Sequence, residues 1–260
     1  MPELPEVEDA ARRLRAAVLN RTIVSARALH PSTARSLTDD ACRRLVGQRV
    51  VSVDRRAKLQ VVRFADDRVL EVHLRMTGDW DIGRDNDPPP QYERARFTCD
   101  DGTRISFVDS RAFGVLTVHN PGTFILPAYG PEPLDDAFTA TVLMTALHTR
   151  RGPIKPVLLD QQVIAGLGNI YAAEALWEAR IRPDTPANRI ALLRVARLRD
   201  AIRLVLNQAP STRYYERAER VEESWRVYDR EGEPCLRCGK TIMRIVQAGR
   251  STFYCRRCQR

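Results

Sequence analysis

The chain begins Met1-Pro2-Glu3, and this start offers an amine nucleophile. Methionine before a small residue is normally trimmed, which would leave Pro2 with a free secondary amine. An α-amino group has a pKa of about 8, against about 10.4 for lysine, so more of it is unprotonated at neutral pH. A secondary amine that attacks a sugar C1′ forms a cationic iminium, which acidifies the C2′ proton and prepares elimination of the 3′ phosphate. By position alone, a proline here is far more often one that simply begins a helix.

Two carboxylates follow the proline at a spacing of three residues, Glu3 and Glu6. Glu3 is placed to act as a general acid or base on a sugar ring oxygen, and Glu6 to hold charge near the amine. Acidic residues are also favoured in the first turn of any helix by the helix dipole, and the pair by itself favours this structural interpretation.

Four cysteines near the C-terminus form two tight pairs, Cys235-x2-Cys238 and Cys255-x2-Cys258, separated by sixteen residues. This spacing predicts one zinc ion held by four thiolates, a closed shell that has a structural role. Two redox pairs are the alternative, but no βαβ pattern surrounds them. The basic residues around the cysteines are Arg237, Lys240, Arg244, Arg250, Arg256, Arg257 and Arg260. A basic zinc ribbon of this kind is typical of nucleic-acid binding, or it is a structural staple.

The overall composition favours a polyanionic partner. The chain has 42 Lys plus Arg against 33 Asp plus Glu, a formal charge of +9 and a pI of about 9.6. Phosphate binding by such a chain releases condensed counterions. No run approaches the about 18 apolar residues of a membrane span, and the acidic start lacks signal-peptide character. We therefore expect a cytoplasmic protein without membrane contact, in which Cys42 and Cys99 are free thiols.

The elements that must position these groups change along the chain. Val7, Ala11, Leu14 and Val18 predict an amphipathic helix over 5–19. Short strands follow from about 22 to 118, with alternation at 70–77 and an Asp101-Gly102 hairpin signal. This pattern indicates an antiparallel β-sandwich.

A segment rich in proline and glycine, residues 121–137, predicts a linker, and helical patterns follow at 138–149, 157–179 and 188–207. We predict a multidomain α+β protein with an N-terminal domain over 1–120, a helical domain over 138–225 and a zinc finger over 226–260. Gly166-x-Gly168 lacks the third glycine and the preceding strand of a dinucleotide fingerprint, which excludes that interpretation. Backbone amides before a helix instead suit a phosphate, and Asn169 adds a side-chain donor.

Six motifs occur in one order along the chain. They are PELPEVE at 2–8, RRAK at 55–58, HLRMTG at 73–78, DSRAFG at 109–114, AGLGNIYAAEAL at 165–176 and AGRSTFYCRRCQR at 248–260. Together they resemble the formamidopyrimidine-DNA glycosylase / endonuclease VIII family of bifunctional DNA glycosylases, and the first motif resembles the formamidopyrimidine branch. The resemblance runs the full length and implies a β-sandwich, a helix–two-turn–helix domain over the region of 157–179 and a zinc finger.

The resemblance also implies roles for single residues. The catalytic positions are Pro2 as nucleophile, Glu3 as carboxylate and Lys58 beside the reacting nucleotide, with Glu6 in support. The DNA-binding positions are His73, Asn169 and Arg250 on phosphates, Met76, Arg111 and Phe113 in the void left by an everted base, Tyr171 on the lesion side, and Lys155 ahead of the helix–two-turn–helix. From the alternation alone, Met76 continues the buried face of Leu70, Val72 and Leu74, and Phe113 is an ordinary buried aromatic.

Three features depart from the family pattern. Arg75 stands where glycine is common, Ala112 replaces a frequent arginine, and the segment 211–228 is shorter than the base-capping loop of the purine branch. Its residues 213–225 contain no glycine, and their Arg/Glu spacing predicts a helix.

The resemblance implies a bifunctional glycosylase and AP lyase of base excision repair, acting by a Pro2 Schiff base and β,δ-elimination. Oxidised or ring-opened purines and oxidised pyrimidines both remain open as substrates, and a non-catalytic damaged-DNA binding protein is the alternative. We expect a monomer on damaged or abasic double-stranded DNA, associated with the nucleoid, with one structural Zn²⁺ and no catalytic cofactor.

Overall fold

The computed structural model describes residues 1–209 and 225–260. The described chain divides into two compact units, one over residues 1–127 and one over residues 128–209 with 225–260. The boundary falls inside the predicted linker at 121–137. Across the described ranges, no helix combines the length and the apolar character needed to cross a bilayer.

The first unit is a sandwich of two four-stranded antiparallel sheets, which confirms the predicted fold class. One sheet has the order β1 (Ile23–Ala28), β6 (Glu93–Cys99), β7 (Thr103–Val108), β5 (Asp79–Arg84), and the other β2 (Val50–Arg56), β3 (Leu59–Phe64), β4 (Val69–His73), β8 (Val115–His119). The predicted Asp101-Gly102 hairpin joins β6 to β7, and Gly102 has the positive φ of 78° that this tight turn requires. Cys42 and Cys99 are buried free thiols, and burial raises the pKa of Cys99 to about 12.

Helix α1 (Leu4–Val18) lies on the sandwich along its predicted apolar face. Arg13 on this helix pairs with Asp79 of β5 at 2.6 Å, and Arg15 donates to the carbonyl of Val53 in β2 at 2.7 Å. Since β5 and β2 belong to different sheets, these contacts fix the helix, and therefore the chain start, on both halves of the sandwich.

Two short helices interrupt the region in which only strands were predicted: α2 (Pro31–Ala34) and α3 (Asp39–Leu45). Thr38 begins α3, and its hydroxyl accepts from the amide of Ala41 at 3.2 Å. Asp39 and Asp40 in the first turn favour the positive end of the helix dipole. Helices as short as α2 and α3 contain too few apolar residues to show a helical repeat, so the sequence pattern alone does not distinguish them from strands.

Strand β4 ends at His73, which overturns the interpretation of Met76 as a continuation of its buried face. Arg75 has a φ of 56°, in the left-handed region, and residues 75–77 form a turn. The period-two alternation therefore stops before Met76, whose side chain is only half-buried.

The second unit is helical, with α4 (Ala140–His148), α5 (Ile154–Leu158), α6 (Asn169–Glu178) and α7 (Leu192–Asn207). The predicted run at 157–179 is two helices, because the irregular segment before Asn169 includes Gly166 at a φ of 79°. A hairpin of β9 (Met243–Gln247) and β10 (Arg250–Tyr254) completes the unit and shares an apolar cluster with Ala173 and Trp177 of α6. The helix predicted over 213–225 falls, up to residue 224, outside the described residues.

Candidate active site and nucleic-acid interface

The predicted nucleophile and its carboxylates lie at the first turn of α1. Pro2 and Glu3 are buried, and Glu3 is the N-cap residue of the helix. A capping box links the two carboxylates: the Glu3 side chain accepts from the amide of Glu6, and the Glu6 carboxylate accepts from the amide of Glu3 at 2.9 Å. Glu6 therefore holds the position of Glu3, while its predicted role of holding charge near the amine stays a prediction.

Charged groups from three segments influence the amine at the chain start. Burial lowers the pKa of the Met1 amine to about 6, and the positive charges of Lys58 and Arg111 act in the same direction. Glu3 and Glu6 oppose this shift. The structure thus brings four of the predicted site residues close enough to the chain start to act on it electrostatically, in surroundings that favour a neutral amine.

His73, at the end of β4, is held as a neutral imidazole. Its Nδ1 accepts from the amide of Arg75 at 3.0 Å, which leaves the proton on Nε2 as a donor. Burial lowers the pKa of His73 to about 4, with further lowering by the charges of Arg75 and Lys58. A phosphate at this position would therefore meet a neutral hydrogen-bond donor and not a cation.

The three residues predicted to fill the void stand on two loops with accessible tips. Met76 is half-buried, Arg111 is exposed, and Phe113 exposes 52% of its surface. The Arg111 guanidinium lies 4.8 Å from the centre of the Phe113 ring, a cation–π distance. The alternative that Phe113 is an ordinary buried aromatic is wrong. Its exposed face is available for stacking.

A buried carboxylate joins the two loops. Asp109 is fully buried, and its Oδ2 accepts from the amide of Gly114 at 2.7 Å. Its Oδ1 accepts from the Thr77 hydroxyl and, at 3.2 Å, from the amide of Arg111. Because Thr77 follows Met76, this contact fixes the Met76 loop and the Arg111–Phe113 loop relative to each other.

Close packing beneath both loops explains their glycines. A Cβ added to Gly78 would lie 2.8 Å from the Phe107 ring, and one added to Gly114 would lie 2.4 Å from it. Distances this short require rearrangement, so both loops reach the core only through glycine.

In the turn between β2 and β3 and on these two loops, a residue with a left-handed backbone conformation directly precedes a predicted contact. Ala57 at a φ of 54° precedes Lys58, Arg75 precedes Met76, and Ala112 at 54° separates Arg111 from Phe113. L-residues adopt this conformation at a cost of about 1 kcal/mol or more. Arg75 and Ala112, which both depart from the family pattern, therefore have a backbone conformation that glycine would adopt without this cost.

The second unit gathers another set of predicted contacts around a buried lysine. Lys155 is 1% exposed, and its ammonium donates to the Asn169 side chain, to the carbonyl of Ser251 at 3.0 Å and to the Thr252 hydroxyl at 2.8 Å. The Asn169 amide also donates to the Ser251 carbonyl at 3.1 Å. This cluster, here called the lysine cross-link, ties the start of α6 to β10, directly after the exposed Arg250.

Tyr171 lies one turn into α6 and is fully buried, with its ring edge-on to Trp225 at 5.7 Å. Nearby, the buried Glu174 accepts from three consecutive backbone amides, those of residues 226–228, at 2.9–3.0 Å. These contacts fix the backbone of residues 226–228 against α6. The lesion-side role of Tyr171 stays a prediction.

The four paired cysteines converge as their spacing predicts. Their sulfur atoms all lie within 4.8 Å of one another, with 4.0 Å between Cys235 and Cys258 and 3.5 Å between Cys238 and Cys255. Zinc–sulfur bonds of about 2.3 Å in a tetrahedron give sulfur–sulfur distances of about 3.8 Å, so the donor set fits one zinc ion. The structural zinc site is thereby confirmed.

Asp109, Thr77 and Thr252 were not singled out from the sequence, because their importance lies in tertiary contacts. One compositional signal was available for the lysines. Only Lys58, Lys155 and Lys240 are lysine among 42 basic residues. Two of these three, Lys58 and Lys155, are predicted site residues, where a compact ammonium group differs from a guanidinium group in size and in hydrogen-bond geometry.

Three family models together match most of the chain. They are the formamidopyrimidine-DNA glycosylase N-terminal domain over 1–116, the H2TH domain of the same enzymes over 129–214, and a zinc finger found in FPG and IleRS over 232–260.

Curated relatives match over the full length. Formamidopyrimidine-DNA glycosylase of Chloroflexus aggregans is 43% identical, with 100% of this chain and 98% of the relative covered. The enzyme of the same name from Paracoccus denitrificans is 41% identical, with both chains covered completely. The chain belongs to the formamidopyrimidine-DNA glycosylase family, which confirms the resemblance.

Solved structures agree with this assignment. MutM in complex with DNA that contains carbocyclic 8-oxo-G superposes with a TM-score of 0.88 at 31% identity, with 99% of each chain covered. The Lactococcus lactis enzyme bound non-covalently to DNA with an AP site gives 0.87 at 30% identity, again with 99% of each chain covered.

Proposed function

We propose that this DNA glycosylase removes an oxidised base from duplex DNA and then cleaves the strand, with the Pro2 amine of the trimmed chain as nucleophile. The observation that carries the proposal is the burial of the chain start among Glu3, Glu6, Lys58 and Arg111. The relatives that match over the full length, and the MutM structure with a carbocyclic 8-oxo-G in its DNA, support an oxidised or ring-opened purine as substrate.

The reaction runs through one covalent intermediate. The Pro2 nitrogen attacks C1′, the bond from C1′ to the base breaks, and the base leaves with a proton. Glu3 protonates the ring oxygen as the sugar opens, which gives the iminium. Loss of a C2′ proton then expels the 3′ phosphate, a second elimination expels the 5′ phosphate, and water releases the amine.

A lowered pKa of the amine favours this first step. Only the neutral amine attacks, and the same surroundings that lower the pKa of the Met1 amine to about 6 act on Pro2 after trimming. We therefore expect the rate of adduct formation to rise with pH through the pKa of the Pro2 amine and then to level off.

The proposed DNA contacts come from both units. His73 and Lys58 supply them in the sandwich, and Asn169 and Arg250 in the second unit, with Lys155 as the residue that positions Asn169. Met76, Arg111 and Phe113 occupy the void, where stacking on Phe113 offsets about 1–3 kcal/mol of the eversion cost. The proposed domain division is the predicted one, with catalysis in 1–120 and DNA binding in 138–225 and 226–260. The site of action is the nucleoid of the cytoplasm.

Borohydride trapping tests the proposal. Trimmed protein, verified by mass, is incubated with duplex DNA that contains one abasic site or one oxidised purine, and the iminium is reduced to a stable adduct. We expect an adduct that maps to Pro2 and is lost in Pro2→Gly. A Pro2→Gly protein that still forms the adduct would reject Pro2 as the nucleophile. Binding to damaged duplex without any adduct or cleavage would favour a non-catalytic binding protein. Parallel duplexes with one oxidised pyrimidine separate the two substrate classes.

A further inference from the structure

A group of arginines lines a groove in the second unit that the proposed reaction does not use. The groove consists of two adjoining hollows of about 560 and 580 Å³ that share Arg180 and Arg237. The first hollow also includes Arg194, Arg257 and Arg260. The second also includes Arg197, together with Glu178, Asp200 and Leu204. We call the whole surface the arginine groove.

Arginines outnumber side-chain carboxylates in the arginine groove. The zinc ligands Cys238 and Cys258 also line the first hollow, and their thiolates offset part of the positive charge. Among the described residues, no side-chain carboxylate lies within ion-pair distance of Arg180, Arg194, Arg197, Arg257 or Arg260. Arg237 differs, since it pairs with Glu178 at 3.2 Å and stacks on Trp177 at 3.8 Å. Like charges held together destabilise a fold unless an anion compensates them. The groove therefore has the character of a binding site for an anionic group.

Main-chain contacts keep the arginines together. The Arg194 guanidinium donates to the main-chain oxygen of Arg260, and the Arg260 amide donates to the carbonyl of Arg180 at 3.2 Å. Gln259 is buried, accepts from the amide of Cys255 at 2.8 Å and donates to the carbonyl of Ile181 at 2.9 Å. The second zinc knuckle is thereby attached to the end of α6, so the first hollow is a built feature of the fold.

The arginine groove lies at the opposite end of α6 from the lysine cross-link. Asn169 begins this helix of ten residues, and Arg180 follows its end. At 1.5 Å per residue, the helix separates the two by about 15 Å. The phosphates proposed to contact Asn169 therefore cannot also occupy the groove.

The second hollow argues for a protein segment over a continuing DNA strand. Glu178 and Asp200 would repel a backbone that carries a phosphate at every nucleotide. Leu204, 40% exposed, offers an apolar contact that phosphates cannot use. A peptide can place carboxylates in the first hollow, where guanidinium groups form bidentate pairs with them, and an apolar side chain beside Leu204.

We propose that the arginine groove is a docking site for an acidic protein segment whose carboxylates bind the first hollow and whose apolar side chain binds the second. Charge complementarity supplies the recognition. The groove does not depend on whether Pro2 is the nucleophile.

Fluorescence anisotropy with a defined probe tests this proposal. The probe is a short labelled peptide with a run of aspartates followed by two leucines, and a matched peptide replaces each aspartate by asparagine. The test variant combines Arg180→Glu with Arg194→Glu, two arginines of the first hollow that lie outside the zinc finger. The control variant combines Arg27→Glu with Arg35→Glu, two exposed arginines of the sandwich unit, and makes the same change in net charge. Zinc content is measured for every protein.

We expect the aspartate peptide to bind the zinc-loaded protein and the control variant equally, and the test variant at least about tenfold more weakly. The asparagine peptide should bind none of the three proteins. Cleavage of damaged duplex should be the same for all three proteins. The proposal is overturned if the aspartate peptide does not bind, or if both variants weaken it equally. It is also overturned if the test variant instead loses affinity for undamaged duplex with a shallower salt dependence, because the groove would then be a DNA contact.

Discussion

In the sandwich unit the proposed contacts stand on loops with accessible tips and left-handed residues beside them, whereas the lysine cross-link of the second unit is centred on a buried, hydrogen-bonded ammonium group. The loops present side chains at the cost of backbone strain, and Asp109 limits their freedom. The cross-link uses a desolvated ammonium group to fix Asn169 against β10. The sandwich loops expose side chains for contact, and the lysine cross-link holds its segments rigidly. Substitutions in the loops should therefore reduce activity more than stability, and substitutions in the cross-link should reduce stability more than activity.

Zinc removal should give the largest effect and the sharpest contrast between the units. Because four thiolates hold both knuckles, a chelator or Cys255→Ser should unfold the β9–β10 hairpin and remove the Ser251 and Thr252 partners of Lys155. Hydrogen exchange should show loss of protection in the hairpin with retained protection in strands β2 to β7. Hairpin protection that survives complete zinc loss would contradict this account.

Loss of the buried ammonium group should come next. Lys155→Met keeps the length of the side chain but removes the donor to Asn169, Ser251 and Thr252. Of these only Thr252 is fully buried, and Ser251 keeps the Asn169 amide, so we expect the free energy of unfolding to fall by about 2 kcal/mol. Lys240→Met, the same change at an exposed lysine of the same unit, should have almost no effect. Chemical denaturation of the zinc-loaded proteins measures both. Equal stabilities would show that the cross-link is not a rigid support.

The buried carboxylate of the sandwich should affect function more than stability. Asp109→Asn keeps the shape of the side chain, but its amide NH2 group would face the hydrogen-bond donors that Asp109 accepts from. The free energy of unfolding should fall by about 2 kcal/mol, and the two loops should no longer be held together. We expect base excision from damaged duplex to slow more than cleavage at a preformed abasic site, where no damaged base has to be displaced. A double-mutant cycle with Thr77→Val should show coupling. Purely additive effects would mean that the loops are positioned independently.

A smaller effect should follow from Arg75→Gly. Glycine relieves the left-handed strain, which should stabilise the fold by up to about 1 kcal/mol, offset by the entropy of the unfolded glycine. It also removes a positive charge that lowers the pKa of His73, so that pKa should rise from about 4. NMR titration of the histidine ring measures the shift. An unchanged pKa would mean that the charge of Arg75 does not contribute to the shift.

The same titration has a consequence for stability. His73 binds a proton near pH 6.5 when unfolded and only near pH 4 when folded, so the unfolded state binds more protons between these values. The contribution of His73 to stability is therefore complete above about pH 6.5 and is lost as the pH falls towards 4. A His73→Gln protein should show a flatter stability profile across this window.

Features that depend on local spacing were predictable from the sequence. The apolar period of α1, the Asp101-Gly102 turn and the paired cysteines each follow from residues near one another in the chain. The site residues were predicted from the family resemblance, and the structure shows which of them lie in the same unit.

The remainder depends on tertiary context. The end of β4 before Met76 depends on the backbone conformation of Arg75, which alternation does not encode. The burial of Lys155 requires the distant Ser251 and Thr252, and the function of Asp109 requires Thr77 from another loop. Each contact joins segments far apart in the sequence, so no local pattern predicts it.

The burial of Pro2 at the start of α1 constrains how a cell makes this protein. An aminopeptidase needs an extended, accessible substrate, whereas in the folded protein Pro2 is buried and Met1 is half-buried. We expect methionine to be removed while the nascent chain is still leaving the ribosome. An affinity tag left at this end would mimic an unprocessed precursor, so recombinant protein is best tagged elsewhere.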